Sequence, residues 1–131
     1  MRFRPLGSSM LPFLKGGDIV TIAPDTKLRI GDVVLWQWGE SAFMHRVVAK
    51  RNGRIITKGD SLGYLDVPVT LEHILGRAVV RERQGKVRRL DHLGARFLGL
   101  AWCLTSLIPG LASFLASAQH ALRKVPGGST L

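Results

Sequence analysis

A single cysteine, Cys103, stands in the 131 residues. The chain can therefore close no internal disulfide and holds no cysteine pair for a zinc site. Acid is scarce as well, with nine Asp and Glu against nineteen Lys and Arg, for a formal net charge of +10 at pH 7. That imbalance points to anionic partners, either a phospholipid surface or nucleic acid. The length gives room for one domain with a modest core plus an appendage, and not for two independent domains. Nothing in the composition calls for a metal or another cofactor.

Charge is missing altogether from Phe97 to Gln119, directly after a basic stretch that holds Arg77, Arg81, Arg83, Lys86, Arg88, Arg89 and Arg96. A basic run abutting an apolar one reads as a membrane boundary. The basic residues lack interleaved aromatics, and no recognition helix or zinc motif accompanies them, so nucleic acid is set aside as a partner. As a helix, Phe97 to Ala118 would extend about 33 Å at ~1.5 Å per residue, against a hydrocarbon core of ~30 Å. Pro109-Gly110 interrupts the stretch. Three arrangements stay open: a kinked transmembrane helix, an interfacial or re-entrant segment, and a soluble packing helix. Residues 91–124 are read as this basic-flanked apolar segment, and 125–131 as a disordered tail. Met1 to Arg4 leave no room ahead of the first turn for a signal peptide or an N-terminal anchor.

Residues 1–90 carry strand signals. Asp18 to Ala23, Val33 to Trp38, Ala42 to Ala49 and Ile74 to Arg83 are rich in β-branched and aromatic residues and are bounded by turn formers. Asn52-Gly53 predicts a tight hairpin between the strand bearing His45 and Ile55-Ile56-Thr57. Pro68 confines Val67-Pro68-Val69 to an edge. Many short strands with little helix predict a mainly β fold, a small coiled or barrel-like antiparallel sheet.

Chemistry concentrates in a few short stretches. Gly7-Ser8-Ser9-Met10-Leu11-Pro12 is a turn presenting a hydroxyl at Ser9. Gly31-Asp32-Val33-Val34 follows, then Met44-His45-Arg46-Val47-Val48, then Thr57-Lys58-Gly59-Asp60 with Asp66 beyond it. A serine hydroxyl becomes a nucleophile when a base within hydrogen-bond reach takes its proton. His45 can do so and can return the proton to a leaving amine. Asp60 and Asp66 are the acids available to hold its tautomer.

In this order and at these separations, from Leu6 to about Val80, the motifs resemble the signal peptidase I family of membrane serine peptidases. The likeness is to its archaeal and endoplasmic-reticulum-like branch, with His where the bacterial branch has Lys. The resemblance implies that Ser9 is the acyl-forming nucleophile, His45 the general base and Asp66 the triad acid, with Asp60 buttressing the loop. It implies that Met10 and Pro12 set the turn and line the substrate cleft. Gly7 stands where many bacterial members have an oxyanion-assisting hydroxyl, so backbone amides at Ser9, helped by Ser8, take that role. Asp32 fixes strand geometry, and Lys58 belongs to the turn, with a Ser-Lys mechanism as the alternative. The implied substrate is a peptide or preprotein added to a sheet edge. The basic residues ahead of the apolar segment imply a cytoplasm-facing domain. A non-catalytic membrane-associated peptide binder of the same fold is the rival reading.

Overall fold

The computed structural model describes residues 1–5, 7–25 and 27–107. The architecture is mainly β: the described residues form one antiparallel sheet of eight strands. In chain order they are β1 (Arg2–Phe3), β2 (Ile19–Ala23), β3 (Val33–Trp38), β4 (Ser41–Arg51), β5 (Arg54–Lys58), β6 (Val69–Thr70), β7 (Ile74–Arg83) and β8 (Lys86–Arg89). Across the sheet the order is β1-β2-β7-β3-β4-β5-β6, and β8 folds back on β7. A helix, α1 (Leu93–Thr105), follows.

β3 lies mid-sheet, and Val33, Val34, Leu35 and Trp36 are all buried. Successive side chains on a strand point to opposite faces, so these four feed two cores. Val33 and Leu35 pack with Met10, Leu14, Val20, Ile22 and Met44, while Val34 and Trp36 pack with Val47, Ile55, Val69 and Ile74. Trp36 also stacks on Phe43 at 4.4 Å between ring centres. At the Ala23 end of its pairing with β2, β7 approaches so closely that a Cβ at Gly76 would meet the carbonyl oxygen of Ala23 at 2.3 Å.

The Asn52-Gly53 turn forms as the sequence predicts, with both residues at positive φ, 50° and 76°, the geometry whose twist matches an antiparallel hairpin. Gln84-Gly85 repeats the device between β7 and β8, at 52° and 79°. Two strands lie outside the sequence reading. β1 holds only two residues, and β8 is exposed and basic, so neither carries the apolar signal from which strands are read.

Only part of the segment expected over 91–124 falls on described residues. α1 begins at Leu93, ahead of the charge-free stretch, and its 13 residues extend about 20 Å. Among the described residues no helix is long and apolar enough to cross a membrane. Pro109-Gly110, the remainder of the apolar stretch and the 125–131 tail lie outside the described residues. α1 rests on the sheet through two buried residues, Gly99 and Cys103, and leaves Leu93, Phe97, Leu98 and Trp102 exposed.

Candidate active site

The Ser9 turn is built by short-range bonds. The Leu11 amide donates to the Ser8 carbonyl, and the Met10 carbonyl accepts from both Phe13 and Leu14. The Leu11–Pro12 peptide is cis. A second loop, Gly59 to Leu62, locks this turn from the side. Ser61 donates its amide to the Ser9 carbonyl at 2.9 Å and its hydroxyl to the Ser8 carbonyl at 2.7 Å. Gly59 has to be glycine there, since a Cβ would sit 2.9 Å from the Ser9 carbonyl oxygen.

His45 reaches the turn from β4. Its Nε2 is 3.1 Å from Ser9 Oγ, and its Nδ1 is 2.6 Å from Asp66 Oδ2. Thr57 Oγ1 donates to the same Asp66 oxygen at 2.7 Å, and the Asp66 amide donates to the Thr57 carbonyl at 2.9 Å. Asp66 is thereby fixed to the end of β5 by backbone and side chain together. His45 is nearly buried, at 6% exposure, while Ser9 is half-buried beside a cleft of about 400 Å³. The cleft runs between Phe3, Arg4 and Pro5 on one side and Ala42 to His45 on the other.

The edge of β4 beside that cleft is open. β3 pairs with Ser41 to Arg46, but β5 begins its pairing only at Arg46, opposite Lys58. Ser41 to His45 therefore have one hydrogen-bonding side without a strand among the described residues. Such an edge can accept an extended peptide as an added strand.

The other expected site residues fall in different places. Asp60 does not touch His45. Both of its oxygens are taken by Arg46, through Nε at 2.8 Å and Nη2 at 2.7 Å, in a fully buried pair. Arg46 also donates to the Gly31 carbonyl and lies over the Phe13 ring at 5.3 Å. Asp60 thus anchors its loop, because the register that turns His45 towards Ser9 turns the next residue to the opposite face. Met10 lines the cleft, but it is buried in the core and its Sδ accepts the Asp60 amide. Pro12 is exposed and does not line the cleft, since the turn carries it away from Ser9. Ser8 is exposed, and its carbonyl accepts from the Leu11 amide within the turn and from the Ser61 hydroxyl. Asp32 is buried and accepts the Arg29 amide at 2.8 Å, in keeping with a role in strand geometry.

Lys58 does not act as a surface turn residue. Its side chain is wholly buried, and Nζ donates to the Gly59 carbonyl at 2.8 Å and to Cys103 Sγ at 3.7 Å, on the side facing α1. Burial pulls the Lys58 ammonium below the usual lysine range, partly opposed by Cys103 and Asp60. Burial likewise pushes the Cys103 thiol up to about 12, so it is neither a nucleophile nor a metal ligand at neutral pH. No cluster of His, Cys, Asp or Glu able to hold a metal ion occurs among the described residues.

Sequence reasoning missed Thr57, Arg46 and Ser61 as individual contributors. Thr57 and Arg46 stood inside quoted motifs, yet only the strand register tells which motif member faces which neighbour. Comparison of the chain with family models, curated proteins and solved structures finds no match.

A chain of Ser hydroxyl, imidazole and carboxylate held in this order can relay one proton away from the hydroxyl and stabilise the imidazolium that results.

Proposed function

We propose that the protein is a small serine endopeptidase of signal-peptidase type, which cleaves an extended peptide or preprotein through an acyl-enzyme. The observation that carries this reading is the hydrogen-bonded sequence from Ser9 through His45 to Asp66, with separations of 3.1 and 2.6 Å, at the wall of a cleft. On this reading the antiparallel sheet is a coiled β domain of signal-peptidase type.

The substrate adds along the open edge of β4 and brings its scissile carbonyl to Ser9. His45 Nε2 takes the Ser9 proton as Oγ bonds to the carbonyl carbon. Backbone amides of the Ser8-Ser9 turn hold the oxyanion that forms. Asp66 keeps Nδ1 protonated and balances the imidazolium, and Thr57 holds Asp66 in place. The C–N bond breaks as His45 gives its proton to the departing amine. Water then attacks the acyl carbon as His45 takes a proton from it, and the C–Oγ bond breaks as His45 returns that proton to Ser9 Oγ, which releases the carboxylic acid product. No cofactor enters these steps.

The protein works at a membrane, with the β domain facing the cytoplasm. The basic stretch ahead of the charge-free one supports this side, and the exposed Leu93, Phe97, Leu98 and Trp102 of α1 support lipid contact. A tag on the N-terminal domain that is accessible from outside the cell would sink this orientation.

The test of activity is labelling of the folded, detergent-solubilised protein with a serine-directed phosphonate. A panel of peptide esters carrying small residues at the scissile bond is run alongside. Adduct formation or turnover in the wild type, lost in both Ser9→Ala and His45→Ala, is the expected result. Silence of the wild type in both assays, from protein shown to be folded, would favour a peptide-binding relative that does not turn over.

A further inference from the structure

A second pocket, of about 160 Å³, opens between α1 and the sheet. At ~30 Å³ per water that is room for about five. Its apolar wall is Leu14, Val33, Leu90 and Leu98, and its polar wall is Arg81 and Arg88, with the N-terminal turn of α1 at Gly94 and Ala95 closing one end. Leu14 also forms part of the cleft beside Ser9, so the two pockets share a wall.

The positive charge here is not balanced. No carboxylate lines the pocket among the described residues. Arg46, which also borders it, is occupied by Asp60, and Asp18 is held at 2.7 and 2.8 Å by Arg83. Arg81 donates Nη1 to the Phe13 carbonyl, but its buried Nε has no hydrogen-bond partner. Burial, and then the like charges of Arg83 and Arg88, pull Arg81 below the usual arginine range, with Asp18 only partly opposing them. Arginines crowded without an acid favour an anion between them. The pocket mouth at Leu98, 64% exposed, continues onto the apolar outer face of α1.

We propose that this pocket binds an anionic amphiphile. A phosphate or carboxylate head lies on Arg81 and Arg88, and an alkyl chain runs over Leu90 and Leu98 onto α1. A bare anion leaves the leucine wall in water, and a neutral lipid leaves the arginines unanswered. One molecule carrying both features satisfies both walls. The site stands independently of the peptidase reading, because neither Ser9 nor His45 takes part.

The test is titration of the full chain with dodecyl phosphate below its micelle concentration, followed by calorimetry and by amide shifts at Ala95 and Leu98. Inorganic phosphate and dodecyl maltoside are the comparisons. Stoichiometric binding, tighter than either comparison and weakened about tenfold or more in Arg88→Glu and in Leu98→Asp, is expected. Both positions are exposed, and an unchanged melting temperature verifies that the variants fold. Co-sedimentation with phosphatidylglycerol vesicles, set against phosphatidylcholine vesicles, identifies the source. Loss of phosphatidylglycerol binding in the same variants assigns a bilayer lipid, and binding of the free amphiphile alone assigns a soluble acid. Equal binding of dodecyl maltoside, or indifference to both substitutions, would overturn the proposal.

Discussion

Asp60 grips Arg46 with both carboxylate oxygens, at 2.7 and 2.8 Å, one residue along β4 from His45. The buried pair ties the strand that presents the histidine to the loop that holds the Ser9 turn. Removing one member leaves a charge in the interior without a partner, which costs about 3–5 kcal/mol, whereas removing both is far milder. Arg46→Met and Asp60→Leu are each expected to lower stability by that amount. The double variant should recover much of the loss. Urea denaturation of the three proteins measures the coupling, and additive losses would show that the pair does not act as a unit.

Thr57 and Asp66 separate positioning from chemistry. Asp66→Asn leaves an amide where the imidazole needs a carboxylate, and turnover of a peptide ester should fall by about a thousandfold or more. Thr57→Val removes one hydrogen bond to Asp66 and keeps the shape. A loss of about 1 to 2 kcal/mol, or roughly tenfold in kcat, is expected with KM nearly unchanged. Equal losses in the two variants would place Thr57 in the chemistry itself.

Gly99 is where α1 touches the sheet most closely. A Cβ there would lie 2.3 Å from the Arg46 guanidinium, and Arg46 is too firmly held to move aside. Gly99→Ala is expected to destabilise by about 1–3 kcal/mol and to loosen α1. Cys103 reports on this directly. Its buried thiol, pushed up to about 12, should resist a thiol reagent at pH 8 in the wild type and react in the variant. A variant thiol that stays as protected as the wild-type one would mean that the helix accommodates the methyl group.

The strand pattern and most of the site were legible before any coordinates. β3 announces itself by two valines and two tryptophans within six residues, the Asn52-Gly53 turn by its dipeptide, and Ser9, His45 and Asp66 by motif order. What stayed hidden depends on register. Nothing in Thr-Lys-Gly-Asp says that the threonine turns to Asp66, the lysine to α1 and the aspartate to Arg46. Alternation along β5, its phase set by pairing with β4, decides the first two, and the loop that follows β5 carries the aspartate to Arg46. Pro12 stands outside the cleft for a related reason, since a turn can aim adjacent residues in opposite directions. α1 closes at Thr105, where the Ser106 hydroxyl donates to the Leu62 carbonyl, and hydropathy carries no record of such a contact.

Acid should weaken the molecule through Asp18. Burial works to raise its pKa, but the bonds from Arg83 and the Lys15 amide outweigh that and hold it below the ordinary value of 3.8. A carboxylate depressed in the folded state contributes stability above its unfolded pKa, and that contribution is lost as pH falls through the folded one. Melting temperature should therefore decline on the acid side of about pH 4, and the decline should be shallower in Asp18→Asn, which starts from a lower plateau at pH 7. Parallel curves for the two proteins would assign the acid sensitivity to other carboxylates.

The Ser9 turn is fastened by residues far along the chain. Ser61 binds it from 53 positions away, and Arg81 and Arg83 reach the Phe13 carbonyl across 68 and 70. Contacts this distant must overcome loop closure before they stabilise anything, and they form late. During synthesis, then, Ser9 emerges ahead of His45, Asp66 and the framework that aims it. The three groups come into register only once β7 has been made and lies between β2 and β3, so under the proposed mechanism a half-finished chain would have no armed serine.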